Sequence, residues 1–379
     1  MTEDMVLAAA LAAFAVLAWL LWQQHKQDID VKPETEDVRI PPLIRGINYL
    51  LADEPDRALK ELVHVARLQT ETAEVYLALG DMFRNKGEFG RAVRIHQNLL
   101  ARPDLPKGLH LEAQLALAKD FQAGGLLGRA LQQYDKVLKK QPDHLTALEA
   151  SLRIREQGRE WTEAEEALTR LDQARGTTSS LHHAYLLTEM ARDKLAEGDD
   201  ETALQLVEQA VDKNPACAAA HVLLAEIDLN RGDEDAAFAS MERLGQAAPQ
   251  YIPLLLPVLL DHPDAYARHG EAFLLSCMEK HQDESMALSW IEAISKKYGI
   301  EDARRLMDKM GFSPQGLRTC LRLKAIMDDD ALARASLRWK MHSRNFTCSH
   351  CGVEVVEMRW QCPQCHQWGS MRPIREVEL

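Results

Sequence analysis

The chain has 379 residues, with 45 Lys plus Arg against 58 Asp plus Glu and a formal net charge of −13. An acid excess of that size disfavours a general nucleic-acid role. Aromatic residues make up only 6% of the chain, and Ala, Leu, Glu and Gln crowd it, so helices are favoured over sheets and the expected fold class is all-α.

Met5 to Trp22 is an eighteen-residue run without a charge, edged by Trp19 and Trp22. As a helix it would be roughly 27 Å long, close to the hydrocarbon thickness of a bilayer. It reads as one transmembrane helix and not as a cleaved signal peptide, because it begins after Glu3 and Asp4 and leaves through Gln23, Gln24, His25 and Lys26. Lys26, Lys32 and Arg39 follow the span and none precedes it, which places the bulk of the chain on the cytoplasmic side. Residues 1–25 are read as an N-terminal anchor. Residues 26–42, polar and carrying Pro33, Pro41 and Pro42, are read as an extended linker.

Internal repetition organises residues 43–341. Gly46 and Ala58 recur as Gly80 and Ala92, and Ala191 with Ala203 recurs as Ala225 with Ala237, an interval of 34 in each case. That period is the tetratricopeptide signature: a small residue on each helix of a pair marks where the two cross closely. The clearest unit runs from Val75 to Asp104, with Leu79, Gly80 and Phe83 on one helix, Gly87 at the turn, and Ala92 and Leu99 on the other. Further units follow at Ala118/Ala130, Ala191/Ala203 and Ala225/Ala237, with weaker pairs at Leu152/Ala164 and Ile291/Ala303. Spacing slips to 38 between Ala92 and Ala130 and to 39 between Ala164 and Ala203, which places short insertions near Pro103 to Gly108 and near Gly176 to Ser180. Pro253, Pro257 and Pro263 interrupt helices or begin new ones. The expectation is a solenoid of six to nine helical pairs, with Gly299 and Gly311 as late turn points.

Residues 342–379 form a different module. Cys348-Ser-His-Cys351 and Cys362-Pro-Gln-Cys365 are two knuckles with ten residues between them. A thiolate pair at this spacing points both sulfurs at one ion, and two pairs supply a tetrahedral all-sulfur shell. Paired disulfides would need an oxidising compartment, which the cytoplasmic placement does not offer. Val355, Val356, Trp360, Trp368 and Ile374 are too few to build a core that offsets chain entropy, so metal must supply the difference. Gly352 allows the left-handed turn after the first knuckle. His342, His350 and His366 read as surface residues. Because no linker precedes Phe346, the module is expected to dock against the last repeats.

No other motif carries chemistry. Gly124-Gly-Leu-Leu-Gly-Arg129 imitates a phosphate loop, lacks the Lys-Ser/Thr ending and falls on an interhelix turn. His182 and His183 lack a metalloprotease context. Asp328, Asp329 and Asp330 read as a helix cap, Arg334, Arg338, Lys340 and Arg344 as a solvated basic face, and Cys217, Cys277 and Cys320 as core. Catalytic residues are therefore not expected.

The tail Cys348-Ser-His-Cys-Gly, then Arg359-Trp-Gln-Cys-Pro-Gln-Cys-His-Gln-Trp368, then Arg372-Pro-Ile-Arg375, resembles the rubredoxin-type tail of the lipopolysaccharide assembly protein B family. Gly80-Asp-Met-Phe-Arg-Asn-Lys-Gly87 followed by Arg91-Ala-Val-Arg-Ile-His-Gln97 resembles that family's second repeat. The layout of span, repeats and knuckles is similar over the whole chain. The resemblance implies a non-enzymatic, single-pass inner-membrane protein facing the cytoplasm. It implies an adaptor between the membrane AAA+ protease and the deacetylase that commits precursors to lipid A, promoting that deacetylase's degradation, and a scaffold for other lipopolysaccharide-synthesis proteins. It also implies that Cys348, Cys351, Cys362 and Cys365 ligate one metal ion, iron by resemblance, although iron and zinc both accept this shell. His366 departs from the Gly common at its place in a rubredoxin knuckle. A rubredoxin-like electron carrier and a general membrane-tethered scaffold are the alternative readings, and homo-oligomerisation stays open.

Overall fold

A computed structural model describes Trp19 and residues 42–52, 54, 57–58, 60–61, 73–281, 283–312, 317–327 and 345–374. The Met5–Trp22 run, apart from Trp19, lies outside them, as do the linker before Pro42, Asp328 to Asp330, the basic run Arg334 to Arg344 and His342. Among the described residues no helix is long and apolar enough to cross a membrane. The chain divides into two compact units, Met1–Leu126 and Leu127–Leu379.

The first unit holds α1 (Pro42–Leu51), α2 (Ala73–Asn85), α3 (Phe89–Leu100) and α4 (Lys107–Ala123). Tyr76, Leu79 and Phe83 of α2 meet Ala92, Ile95 and Leu99 of α3, with Ala113 of α4 against them. Gly80 is small for a reason visible here: a Cβ at that position would run into the His96 ring. His96 is held by the fully buried Asp120 of α4, its Nδ1 2.5 Å from Oδ2, while Arg84 donates to Oδ1 at 2.9 Å. A buried carboxylate with two cationic or donor partners fixes register between helices, since removing either partner strands a charge.

In the second unit α5 (Leu127–Lys140) precedes three hairpins: α6 (Leu145–Gln157) with α7 (Trp161–Arg175), α8 (Ser180–Glu197) with α9 (Asp200–Lys213), and α10 (Ala218–Arg231) with α11 (Glu234–Ala247). Ala164, Ala191, Ala203, Ala225 and Ala237, picked out by spacing, are all fully buried. Larger side chains there would force the helices apart at a cost of about 1–3 kcal/mol each. Gly198 and Gly232 close equivalent hairpins at φ 82° and 81°, in the left-handed region that glycine alone enters freely.

One expected insertion takes another form. Residues 176–179 join α7 to α8 without helix, and the inserted residues lie beyond them. Glu197 and Arg231, the ends of α8 and α10, are one 34-residue period apart, yet α8 is 18 residues long and α10 is 14. The surplus is one additional helical turn at the start of α8, and it carries His182 and His183.

Of the three prolines expected to interrupt or begin helices, Pro253 lies inside a 3-10 helix (Pro249–Leu254), Pro257 lies in the first turn of α12 (Leu255–Asp261), where a missing N–H leaves no helical bond unmade, and only Pro263 begins a new helix. That helix passes through a π-type turn (Tyr266–Gly270) into α13 (Glu271–His281). α14 (Glu284–Tyr298) and α15 (Ile300–Met310) form a hairpin around Gly299, and α16 (Leu317–Met327) follows. Trp290, Ile291, Ile252, Leu255 and Leu259 fill this later core.

The all-α expectation needs one amendment at the C-terminus. β1 (Phe346–Cys348), β2 (Glu354–Val355) and β3 (Met371–Pro373) form a small antiparallel sheet ordered β2-β1-β3. Phe346 pairs with Val355 and Pro373, and Cys348 with Met371.

Candidate metal centre

Each knuckle is built by the same two backbone bonds, and in each an amide also donates to the first cysteine's sulfur, from two residues on in the first knuckle and three residues on in the second. In the first, Cys348 N–H donates to Val353 O (2.8 Å), Gly352 N–H to Cys348 O (2.9 Å), and His350 N–H to Cys348 Sγ (3.4 Å). In the second, Cys362 N–H donates to Gln367 O (3.0 Å), His366 N–H to Cys362 O (3.0 Å), and Cys365 N–H to Cys362 Sγ (3.5 Å). Gly352 and His366 hold corresponding places, at φ 74° and 57°. The glycine expected to turn the first knuckle does so, and the histidine that replaces glycine in the second takes up the same left-handed backbone.

All four sulfurs lie within 4.8 Å of one another. Cys348 Sγ is 3.7 Å from Cys365 Sγ, and Cys351 Sγ is 3.6 Å from Cys362 Sγ. Four sulfurs placed ~2.3 Å from a common centre at tetrahedral angles stand ~3.8 Å apart, so the cluster has the dimensions of a metal shell. The pairs that approach each other join the two knuckles crosswise, and all four cysteines are free thiols. Burial opposes ionisation of Cys348, but hydrogen bonds with Ser370 and the Cys351 and His350 amides outweigh it and pull the thiol down to about 6. Cys365 goes the other way, pushed up to about 12 by burial and by its sulfur neighbours. Sulfurs this crowded resist carrying charge together, which is the electrostatic problem a cation solves. Among the described residues no histidine joins the cluster. His350 is exposed and His366 half-buried.

The module's own core is Cys348, Cys362 and Met371 with Phe346, Val353, Val355 and Met358 around them. This corrects the sequence reading of its apolar anchors. Val356 is 54% exposed, and Trp360 and Trp368 face the helices. Trp368 stacks on Tyr185 with centroids 5.2 Å apart, meets Trp161 edge-on at 6.3 Å and lies 6.0 Å from His182. Trp360 sits 6.0 Å from Tyr185 and 5.5 Å from Tyr251, whose hydroxyl donates to Met371 O at 2.8 Å. Docking therefore occurs: Met358 and Trp360 pack against the later core, and among the described residues the aromatic and hydrogen-bonded contacts fall on α6, α7, α8 and the 3-10 helix. The reason is aromatic supply, since Trp161, Tyr185 and Tyr251 lie there.

Glu156 went unnoticed in the sequence. Only 6% exposed, it accepts from Trp368 Nε1 at 3.0 Å and from Gln361 Nε2 at 2.8 Å, and its Oε1 is 2.5 Å from His182 Nε2. A usable signal existed: Leu148, Leu152 and Glu156 recur every four residues, which puts an acid at the end of an apolar stripe. His183 pairs with Glu165 (3.0 Å) and Asp172 (3.4 Å). Cys217 and Cys277 are buried, each thiol pushed up to about 11 by burial, and Cys320 is half-buried. Gly124 to Leu126 form an interhelix turn.

Comparison with known proteins follows this geometry. Residues 346–373 match the rubredoxin metal binding domain family, and residues 115–177 and 188–252 match the tetratricopeptide repeat family. Lipopolysaccharide assembly protein B of Escherichia coli (strain K12) is 25% identical over 371 residues, covering 94% of this chain and 93% of that protein. The protein of the same name from Haemophilus influenzae (strain Rd) is 26% identical over 357 residues, covering 88% and 90%. Among solved structures, a tetratricopeptide repeat protein from Parabacteroides merdae is 15% identical, covering 72% of this chain and 98% of that one, with a TM-score of 0.33. The MamA protein is 20% identical, covering 48% and 95%, with a TM-score of 0.34. Neither score carries an argument about this chain. The resemblance to the lipopolysaccharide assembly protein B family holds beyond the two motif stretches, with helical repeats and a rubredoxin-type module in one chain.

Proposed function

We propose that this chain is an inner-membrane adaptor and scaffold of lipopolysaccharide synthesis that binds other proteins through its helical repeats and transforms no substrate itself. In this reading Met5–Trp22 is the single-pass tether, and the remainder of the chain works on the cytoplasmic side. Its partners are the membrane AAA+ protease, the lipid A-committing deacetylase whose degradation it promotes, and other lipopolysaccharide-synthesis proteins. The observation that supports it is the union, in one chain 25% identical over 371 residues to lipopolysaccharide assembly protein B, of repeat hairpins with a four-cysteine module seated on them. Helical repeats offer an extended surface for a partner, and tethering confines the encounter to the bilayer, which raises effective concentration without new contacts.

Cys348, Cys351, Cys362 and Cys365 are proposed to hold one ion, iron by family resemblance, with zinc fitting the same four-sulfur shell. Its contribution when bound is structural: it cross-links two knuckles that a small apolar core cannot hold together. The decisive test is depletion of the protein in cells followed by immunoblotting of the deacetylase. Accumulation is expected, and an unchanged level removes the adaptor role. An electron-carrier reading draws on Cys351, an exposed residue among the four. Full regulatory activity with zinc in the site would eliminate it.

A further inference from the structure

We infer that Glu156, a residue of the repeat array, is a positioning residue for the four-cysteine centre and sets how tightly the second knuckle keeps its ion. This rests on the proposed ligation by the four thiols and adds a residue some 200 positions away in sequence, 205 from Gln361 and 212 from Trp368.

The argument is geometric. Gln361 immediately precedes Cys362, and Trp368 follows Cys365 by three residues, so the two side chains sit on opposite legs of the knuckle. The legs pair with each other there, as Gln361 and Trp368 form an antiparallel bridge. One carboxylate oxygen of Glu156 accepts from each leg, Oε2 from Gln361 at 2.8 Å and Oε1 from Trp368 at 3.0 Å. Both legs are thereby clamped at the base of the loop that carries Cys362 and Cys365. Only a carboxylate offers two acceptor oxygens with no donor of its own, so an amide of the same shape must turn its NH2 group toward one donor. The extra turn of α8 completes the arrangement by setting His182 Nε2 2.5 Å from Oε1. A partner bonded directly to a metal ligand is typically worth about 10–100-fold in metal affinity. Glu156 acts one step further out, through Gln361 and Trp368, so its effect belongs at the lower end of that range, about tenfold. By linkage, the ion must tighten docking of the module onto the array by the same factor that docking tightens the ion.

The test uses the full-length chain reconstituted with zinc, and follows release of the ion to an excess of chromogenic chelator. Glu156→Gln should release zinc up to about tenfold faster than the unsubstituted protein. Trp368→Phe, which keeps the ring and loses only its N–H, should accelerate release less. The double variant should fall short of the product of the two single effects, because both changes touch the hydrogen bonds of one side chain. Glu163→Gln, on an exposed position of α7, should release at the unsubstituted rate. Helical melting of the zinc-free proteins measures what Glu156→Gln costs the array through its own His182 contact, and Trp368→Phe, which leaves that contact in place, should leave the melting unchanged while still accelerating release. Release from Glu156→Gln at the unsubstituted rate overturns the inference. Should that variant fail to fold, an unsubstituted rate from Trp368→Phe overturns it equally. An unsubstituted protein that takes up no zinc at all retires the four-thiolate reading, a separate and distinguishable failure.

Discussion

The two knuckles share backbone bonds, turn geometry and ligand spacing, yet they face opposite worlds. Around the first, Ser349, His350, Cys351 and Gly352 are exposed, and Val356 nearby is open to solvent. Around the second, Cys362 is fully buried, Trp368 is 8% exposed, and Glu156, Tyr185 and Trp161 of the array press on it. Equal sequence spacing thus yields one knuckle whose tip, Ser349 to Gly352, faces solvent, and one whose base, Gln361 and Trp368, is seated on helices more than a hundred residues upstream while Pro363 and Gln364 at its tip stay exposed.

The largest effect that could break this comparison is at the ligands. Cys362→Ser should forfeit metal-linked folding energy on the order of 10 kcal/mol, because it removes a fully buried sulfur with no solvent to replace it. Cys351→Ser, at an exposed position where water can enter the shell, should lose less. Zinc content and protease resistance of residues 345–374 measure both. Equal losses would mean that the two environments do not matter to the ion.

A step smaller are the flanking side chains. Trp368→Ala empties a buried aromatic site and removes a donor from Glu156, for an expected cost of about 3–5 kcal/mol. Val356→Ala, on the open side, should fall within about 0.5 kcal/mol of zero. Hydrogen exchange at the Cys348 and Cys362 amides, both bonded within the module, gives the two values in one experiment. A Val356→Ala penalty comparable to that of Trp368→Ala would point to a buried role for the face that is solvent-exposed here.

Much of this was legible in the sequence, and the misses have physical causes. Ala164, Ala191, Ala203, Ala225 and Ala237 announce the helix crossings because a crossing tolerates only small side chains, and each is fully buried. The cysteines announce themselves because thiolate geometry demands their spacing. The sheet that pairs Phe346 with Val355 and Pro373 was not foreseen, since strands of two or three residues are too short to show alternation. The spacing locates the insertion near Gly176 to Ser180 but does not show its form, since a repeat interval counts residues without saying that Ser180 begins a helix one turn longer than its neighbour's. Docking against the later core follows from chain proximity, as Met358 and Trp360 show, whereas the contacts with α6 to α8 do not, because their partners are 205 and 212 residues apart. The chemical cue was there in Trp161, Tyr185 and Tyr251, three large aromatics in a chain that is 6% aromatic.

The smallest effect is the sharpest, because it compares the knuckles at one equivalent backbone position. Gly352 has φ 74° and His366 has φ 57°, so both ask for the left-handed region. A Cβ there costs about 1–2 kcal/mol in an L-residue, and nothing lies within 4 Å of a Cβ built on Gly352, so Gly352→Ala should pay the backbone cost and no packing cost. A loss of about 1 kcal/mol is expected in the zinc-loaded protein. His366→Gly relieves the corresponding strain, but a new glycine also frees the unfolded chain by about 0.4–1 kcal/mol, so the net gain should be only about 0.5 kcal/mol. Opposite signs in denaturant unfolding of the two variants would show that the knuckles are built alike and differ only in what surrounds them. If His366→Gly is instead destabilising, the half-buried imidazole contributes packing that outweighs its strained backbone, and the second knuckle differs from the first in construction as well as in setting.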